Sequence, residues 1–368
     1  MFRKLAGLRF GLGFLGFIWE MTNNLQGSDL RPKPINPLLD HTLGIVLIFL
    51  VYQFCSYEYQ QQVDTTTPLV LHTLFALLVT SVAVYCVRRT AQSVGQMLSN
   101  YRDHDGIPAS CRRPLASGVA QKKWRDQSWQ LVIHLSMTVW EVRLLSHNVQ
   151  WWNDPVTMFT PCPQEYIAHG LPNSMSELRM FYIFQLVLWI WTGVSCKFFE
   201  ERRKDYVEMM LHHVMTVALV LYSLMEGELA CGLVVLVVHD ASDIVLDCMK
   251  MANYLKVEDA HGGYVTEILF VLNTYVVWPY LRMYYFPKYV ITAIYYGYPT
   301  NCGTEEVPWP GSSKGVLMIM ALFGLHCFWW LLLNRIALKM FRGADSHTAG
   351  DEEYEYTMKD EKDGNKKE

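Results

Sequence analysis

Charge is scarce in this chain: Asp, Glu, Lys and Arg make up 18% of 368 residues, and the formal balance is only −4. So even a balance argues against nucleic acid as a partner. No Asn-x-Ser/Thr acceptor occurs, so glycosylation cannot report the orientation of any loop. The nine cysteines include no C-x-x-C pair and no finger spacing, which excludes the zinc-ribbon and finger classes. Internal repeats are not evident, and no cleavable signal peptide is expected. Leu5–Met21 is apolar and glycine-rich but carries Arg9 and Glu20, and reads as an interfacial or poorly inserted segment. What is abundant is apolar surface. The chain is 51% hydrophobic and 14% aromatic with a mean hydropathy of +0.11, the profile of a helical membrane protein with polar loops.

Eight segments have the length and apolar content of membrane spans: Leu38–Tyr57, Pro68–Val87, Ser128–Ser146, Leu178–Phe199, Val207–Met225, Leu229–Met249, Tyr264–Phe286 and Gly315–Ala337. The third is the weakest, because it carries His134, Glu141 and Arg143. The expected fold is an all-α polytopic membrane protein, a bundle of about seven to eight transmembrane helices. Basic residues orient it. Arg88, Arg89, Arg102, Arg112, Arg113, Lys122, Lys123 and Arg125 fill one loop, Arg202, Arg203 and Lys204 another, and Lys250 and Lys256 a third. Residues 58–67, 147–177 and 226–228 hold no lysine or arginine. Strict alternation puts every basic segment on one face, so both termini are expected in the cytosol; Lys288 and Lys314 are mild exceptions. Cys162 and Cys302 then share the lumenal side, where a disulfide between them is allowed. Four regions are expected: a cytosolic or interfacial segment 1–37, two helices and a basic loop over 38–121, a bundle 122–337 that holds the remaining six spans, and a polar, disordered cytosolic tail 338–368.

Five ionisable groups stand out inside two neighbouring spans: His212 and His213 in the fifth, His239, Asp240 and Asp243 in the sixth. Ionisable side chains at that depth are costly and usually mark a pathway or a site. The bland alternative is a set of imidazoles and carboxylates bonded to each other for packing. His213 lies nine residues from Lys204 and His239 eleven from Lys250. At about 1.5 Å per residue both sit roughly 14–16 Å below the cytosolic boundary. On the sixth helix His239 and Asp243 are one turn apart, and Asp247 continues the face. Adjacent histidines diverge around a helix, so one can react while the other holds a carboxylate; Thr216, one turn after His212, offers a further hydrogen bond. Three chemistries fit: acyl transfer with imidazole as base or nucleophile, a zinc hydrolase, and di-iron oxidation. The last normally draws on more histidine pairs than this chain has.

The run Glu201-Arg-Arg-Lys-Asp-Tyr-Val-Glu-Met-Met-Leu-His-His213, then Thr216, Gly232, His239-Asp-Ala-Ser-Asp243 and Lys250-Met-Ala-Asn-Tyr254 closely resembles the Lag motif, which defines ceramide synthases among TLC-domain membrane proteins. Lys122-Lys-Trp-Arg-Asp-Gln-Ser-Trp129 looks like a second family segment. Between the clusters, Ser223-Leu-Met-Glu-Gly-Glu-Leu-Ala-Cys-Gly232 keeps the family's serine and glycine, but has Leu224 for an aromatic residue and Ala230 for an arginine. The resemblance implies a TLC-type bundle and an enzyme of the endoplasmic reticulum membrane. It would transfer a fatty acyl group from acyl-CoA to a long-chain sphingoid base, giving (dihydro)ceramide. His212, His213, His239, Asp240 and Asp243 become the candidate catalytic set. Arg202, Arg203, Lys204, Thr216 and Ser242 become candidate substrate-binding residues, the basic three as a rim for CoA phosphates or as an ordinary positive-inside turn. No cofactor beyond the acyl-CoA co-substrate and no bound metal are implied. The bilayer is the surrounding partner, with a homodimer or a small single-span subunit as the protein partners left open. Competing readings are an intramembrane zinc-dependent lipid amidase or esterase, and a non-enzymatic TLC-type lipid sensor or chaperone. By position, the loop Tyr298–Lys314 is where the family sets acyl length. His134, with Glu141 seven residues on, is expected to make a structural hydrogen bond, and His326 to serve packing or interfacial anchoring.

Overall fold

The computed structural model describes residues 37–64, 69–101, 103, 105–107, 112, 114–115, 118–160, 162–163, 176–198, 206–257, 263–298, 302 and 314–342. The N-terminal segment, the basic turn with Arg202, Arg203 and Lys204, most of the loop 298–314 and the C-terminal tail lie outside them. Helix α1 spans Pro37–Asp64, α2 Leu69–Tyr101 and α3 Gly118–Ser146. A short helix α4, Gln150–Asn153, runs into a 3-10 turn at Pro155–Phe159. Then come α5, Ser176–Phe198, α6, Tyr206–Met225, and α7, Leu229–Tyr254. Helix α8 starts α-helical at Val265–Leu272 and widens to i→i+5 winding over Asn273–Val277, Pro279–Ile291 and Ala293–Gly297. Helix α9 spans Lys314–Phe341.

Among the described residues, six helical stretches are long and apolar enough to cross a membrane: Leu38–Tyr57, His72–Tyr101, Ser176–Lys197, Tyr206–Met225, Leu229–Tyr254 and Gly315–Phe341. The protein is an all-α, multi-pass membrane bundle. Two expected spans form helices but fall outside these six. Helix α3 carries Lys122, Lys123, Arg125 and Asp126 besides its buried His134 and Glu141, so too much of its length is polar. Helix α8 is interrupted by Pro279 and Pro287, which lack the N–H that a regular ladder needs. Its wide winding accommodates them, a form that is rare and frequently found near functional sites.

The chain divides into two compact units. One comprises Met1–Thr80, Leu144–Val235 and Tyr285–Trp329, the other Ser81–Arg143, Leu236–Tyr284 and Trp330–Glu368. In the first, α1 and α5 pack on α6. The buried Asp40 accepts from Lys197 Nζ at 2.9 Å and from Tyr206 Oη at 2.7 Å, pinning three helices at one end. Gly44 leaves room for the Lys197 chain, since a methyl there would meet its Cε at 2.8 Å. At the other end Tyr182 Oη donates to the Leu229 carbonyl at 2.9 Å and lies 2.9 Å from Ser223 Oγ. Ser223 in turn donates to the Glu228 carbonyl at 2.7 Å. A side chain at Gly232 would overlap both hydroxyls. The serine and glycine retained between the two clusters are thus a matched pair that ties the α6–α7 turn to α5. Cys162 and Cys302 form a disulfide in this unit, joining positions 140 residues apart. In the second unit Trp124 donates to the Ala91 carbonyl at 2.9 Å over Gly95, and Arg88 lies 3.5 Å from Asp126.

Candidate active site

The two histidines of the fifth span are neighbours on α6, in the first unit. Their ring centroids are 5.7 Å apart with planes at 54°, so the imidazoles diverge as the helix geometry requires. His213 is buried beside the Trp189 ring at 6.4 Å, and Gly193 of α5 backs its Cβ. His212 meets Trp329 edge-on at 5.3 Å. An aromatic ring therefore flanks each imidazole. Thr216 stands half-buried one turn further along.

His239, Asp240, Ser242 and Asp243 belong to the second unit, on the part of α7 that begins at Leu236. Asp240 and Ser242 are almost fully buried, at 1% and 0% exposure. The dominant partner of the run is Arg282 from α8, itself only 2% exposed. Its Nη2 reaches Asp243 Oδ1 at 2.7 Å and donates to the His239 carbonyl at 3.2 Å, while Nε donates to Ser242 Oγ at 2.6 Å. Ser242 Oγ donates in turn to the His239 carbonyl at 2.8 Å. The Trp278 ring stacks on the guanidinium at 4.2 Å. This is the planar fork geometry that lysine cannot reproduce. On the other edge of Asp243, His134 Nε2 stands 4.0 Å from Oδ2, and His134 Nδ1 bonds Asp247 Oδ2 at 2.6 Å. Gln127 donates to the remaining Asp247 oxygen at 2.5 Å. A continuous polar chain therefore runs Gln127–Asp247–His134–Asp243–Arg282–Ser242 through an apolar interior. Breaking one member of such a buried pair costs about 3–5 kcal/mol, because the other charge is stranded.

Ser242, a candidate substrate-binding residue by sequence, has its hydroxyl between Arg282 Nε and the His239 carbonyl. His134 makes the buried hydrogen bond expected of it, to Asp247. His326 is fully buried and edge-on to Phe286 at 5.0 Å, so its place is packing. Arg282 is not among the candidates the sequence offers by motif, although an arginine in the expected span Tyr264–Phe286 is itself a signal, since a charge at that depth must have a partner. Among the described residues no group of three His, Cys, Asp or Glu side chains could hold a metal ion.

Residues 123–335, more than half of the chain, match the model of the TLC domain. The chain belongs to the TLC-domain family. Its similarity to relatives runs over the same region. A rice protein named ASC1-like protein 3 is 30% identical over 218 residues, 59% of this chain and 72% of the relative. Ceramide synthase LOH2 of Arabidopsis thaliana is 26% identical over 229 residues, covering 60% and 70%. Human ceramide synthase 4 is 30% identical over 218 residues, covering 58% of this chain and 50% of its own length. Within the family, then, the sequence resembles members named for ceramide synthesis.

Proposed function

We propose that the protein is a sphingoid-base N-acyltransferase of the endoplasmic reticulum membrane, making (dihydro)ceramide from a fatty acyl-CoA and a long-chain base. One observation carries this reading: the double histidine and the H-D-x-S-D run keep the spacing of the Lag motif on consecutive helices of a TLC-domain protein. Relatives named ceramide synthase support it. Both substrates carry long tails that already reside in the bilayer, and a site at membrane depth meets them there. The basic turn Arg202, Arg203 and Lys204 supplies charge for the CoA phosphates at the cytosolic rim.

The reaction needs an uncharged amine. In the route favoured here, the neutral imidazole of His212 or His213 attacks the thioester carbonyl carbon. The carbon–sulfur bond breaks, and CoA leaves as thiolate. The neutral amine nitrogen then attacks the acyl-imidazole carbon, the carbon–imidazole bond breaks, and an amide forms. The neighbouring histidine takes the one proton that the amine loses on forming the amide and releases it to solvent, which balances the protonation of the CoA thiolate that left in the first step. Water-poor surroundings protect so reactive an acyl carrier from hydrolysis. Detergent-solubilised protein given acyl-CoA and sphinganine should yield ceramide and one free thiol per amide. Release of fatty acid from ceramide by a zinc-loaded preparation, with no synthesis, would instead select the hydrolase reading.

A further inference from the structure

We propose that Arg282 is a positioning residue for the reaction, holding the His239–Asp243 turn of α7 in its working geometry through Asp243; this rests on the acyltransferase reading above. Three facts about one side chain converge. The guanidinium is buried, it contacts three successive acceptors of a single turn (the His239 carbonyl, Ser242 Oγ and Asp243 Oδ1), and Trp278 closes its open face. All of these contacts are to α7 or to its own helix, so Arg282 has been placed as a clamp on the motif and not as a group facing a substrate. The carbonyl of His239 is one of the clamped atoms, so the clamp sets the backbone from which the His239 imidazole projects. A shift of about 1 Å at a reacting group is enough to cost on the order of 10²-fold in rate.

The arrangement also reassigns two residues of the motif. Asp243, with Arg282 on one oxygen and His134 near the other, is held as a fixed carboxylate anchor and does not serve as a proton acceptor. Ser242 is the second socket of the same clamp. What the motif then presents toward chemistry is His239. An arginine is required because a lysine offers one nitrogen where the socket needs a planar pair.

The test is a double-mutant cycle on the full-length protein in detergent, measuring kcat and KM for ceramide formation beside thermal unfolding. Arg282→Gln is expected to lower kcat by about 100-fold with KM for acyl-CoA within about threefold, and Arg282→Lys to recover less than a tenth of that loss. In an Asp243→Asn background, Arg282→Gln should cost less than about threefold more, because the clamp is already open. The double variant should also unfold at a higher temperature than either single one, since no charge is stranded in it. It therefore remains measurable if Arg282→Gln alone does not fold. Losses that multiply across the cycle, or wild-type kcat in Arg282→Gln, would overturn the proposal. If wild-type protein makes no ceramide, the acyltransferase reading fails instead; the order of unfolding temperatures still reports whether the clamp exists.

Discussion

At His212 and His213, the chemistry depends on two neighbouring rings that face different walls. Trp329 meets one edge-on and Trp189 flanks the other, so the two imidazoles stand in different surroundings although they are adjacent in the chain. A division into carrier and base is the consequence we expect. Incubation with acyl-CoA alone should add one acyl mass to the peptide holding His212 and His213, removable by hydroxylamine or by sphinganine. Absence of the adduct under rapid quench, with ceramide forming and sequential kinetics, selects direct attack by the amine. The other decisive residue is Arg282, whose three contacts make Asp243 an anchor.

The element that links the two histidine clusters in the chain is the turn Glu226–Glu228 between α6 and α7. Burial, with the Glu226 carboxylate second, raises the Glu228 carboxyl to about 7. A raised carboxyl binds its proton more tightly in the folded state, so the sign is fixed. Below about 4.5 neither state is ionised and there is no penalty. As pH climbs toward 7 the folded protein is progressively destabilised, and above 7 the penalty is complete. Screening at this half-buried position leaves about 1–2 kcal/mol. Glu228→Gln should therefore raise the unfolding temperature in detergent at pH 8 and leave it nearly unchanged at pH 4.5. Equal shifts at both pH values would remove this titration from the account. The backbone of the turn is secured separately, by the Ser223 and Tyr182 bonds that Gly232 permits.

For the whole molecule, the Cys162–Cys302 disulfide offers a way to test sidedness. Both cysteines sit in loops that the basic-residue pattern assigns to the lumen, where a disulfide persists. Closing a loop of this length removes on the order of 4–5 kcal/mol of unfolded-chain entropy. In sealed microsomes, protease should cleave tags at both termini, while a membrane-impermeant reductant leaves the disulfide intact until the membrane is opened. A protected C-terminal tag would sink the eight-pass topology.

The amino-acid sequence by itself determined the class and the motif. Long apolar runs have few outcomes other than membrane helices, because an unpaired backbone is intolerable in lipid, so every expected span emerged as a helix. The spacing from His212 to Asp243 was equally legible, since it is a property of the chain. Partnerships were not. Arg282 lies 39 residues beyond Asp243, and Gln127 and His134 more than a hundred before Asp247, so no local period brings them together. The widened winding of α8 was also invisible, because two prolines in an apolar run leave open whether a helix breaks or expands. Only packing decides which charge answers which. A buried guanidinium must find acceptors among whatever side chains tertiary structure places beside it, and here it found the turn from His239 to Asp243.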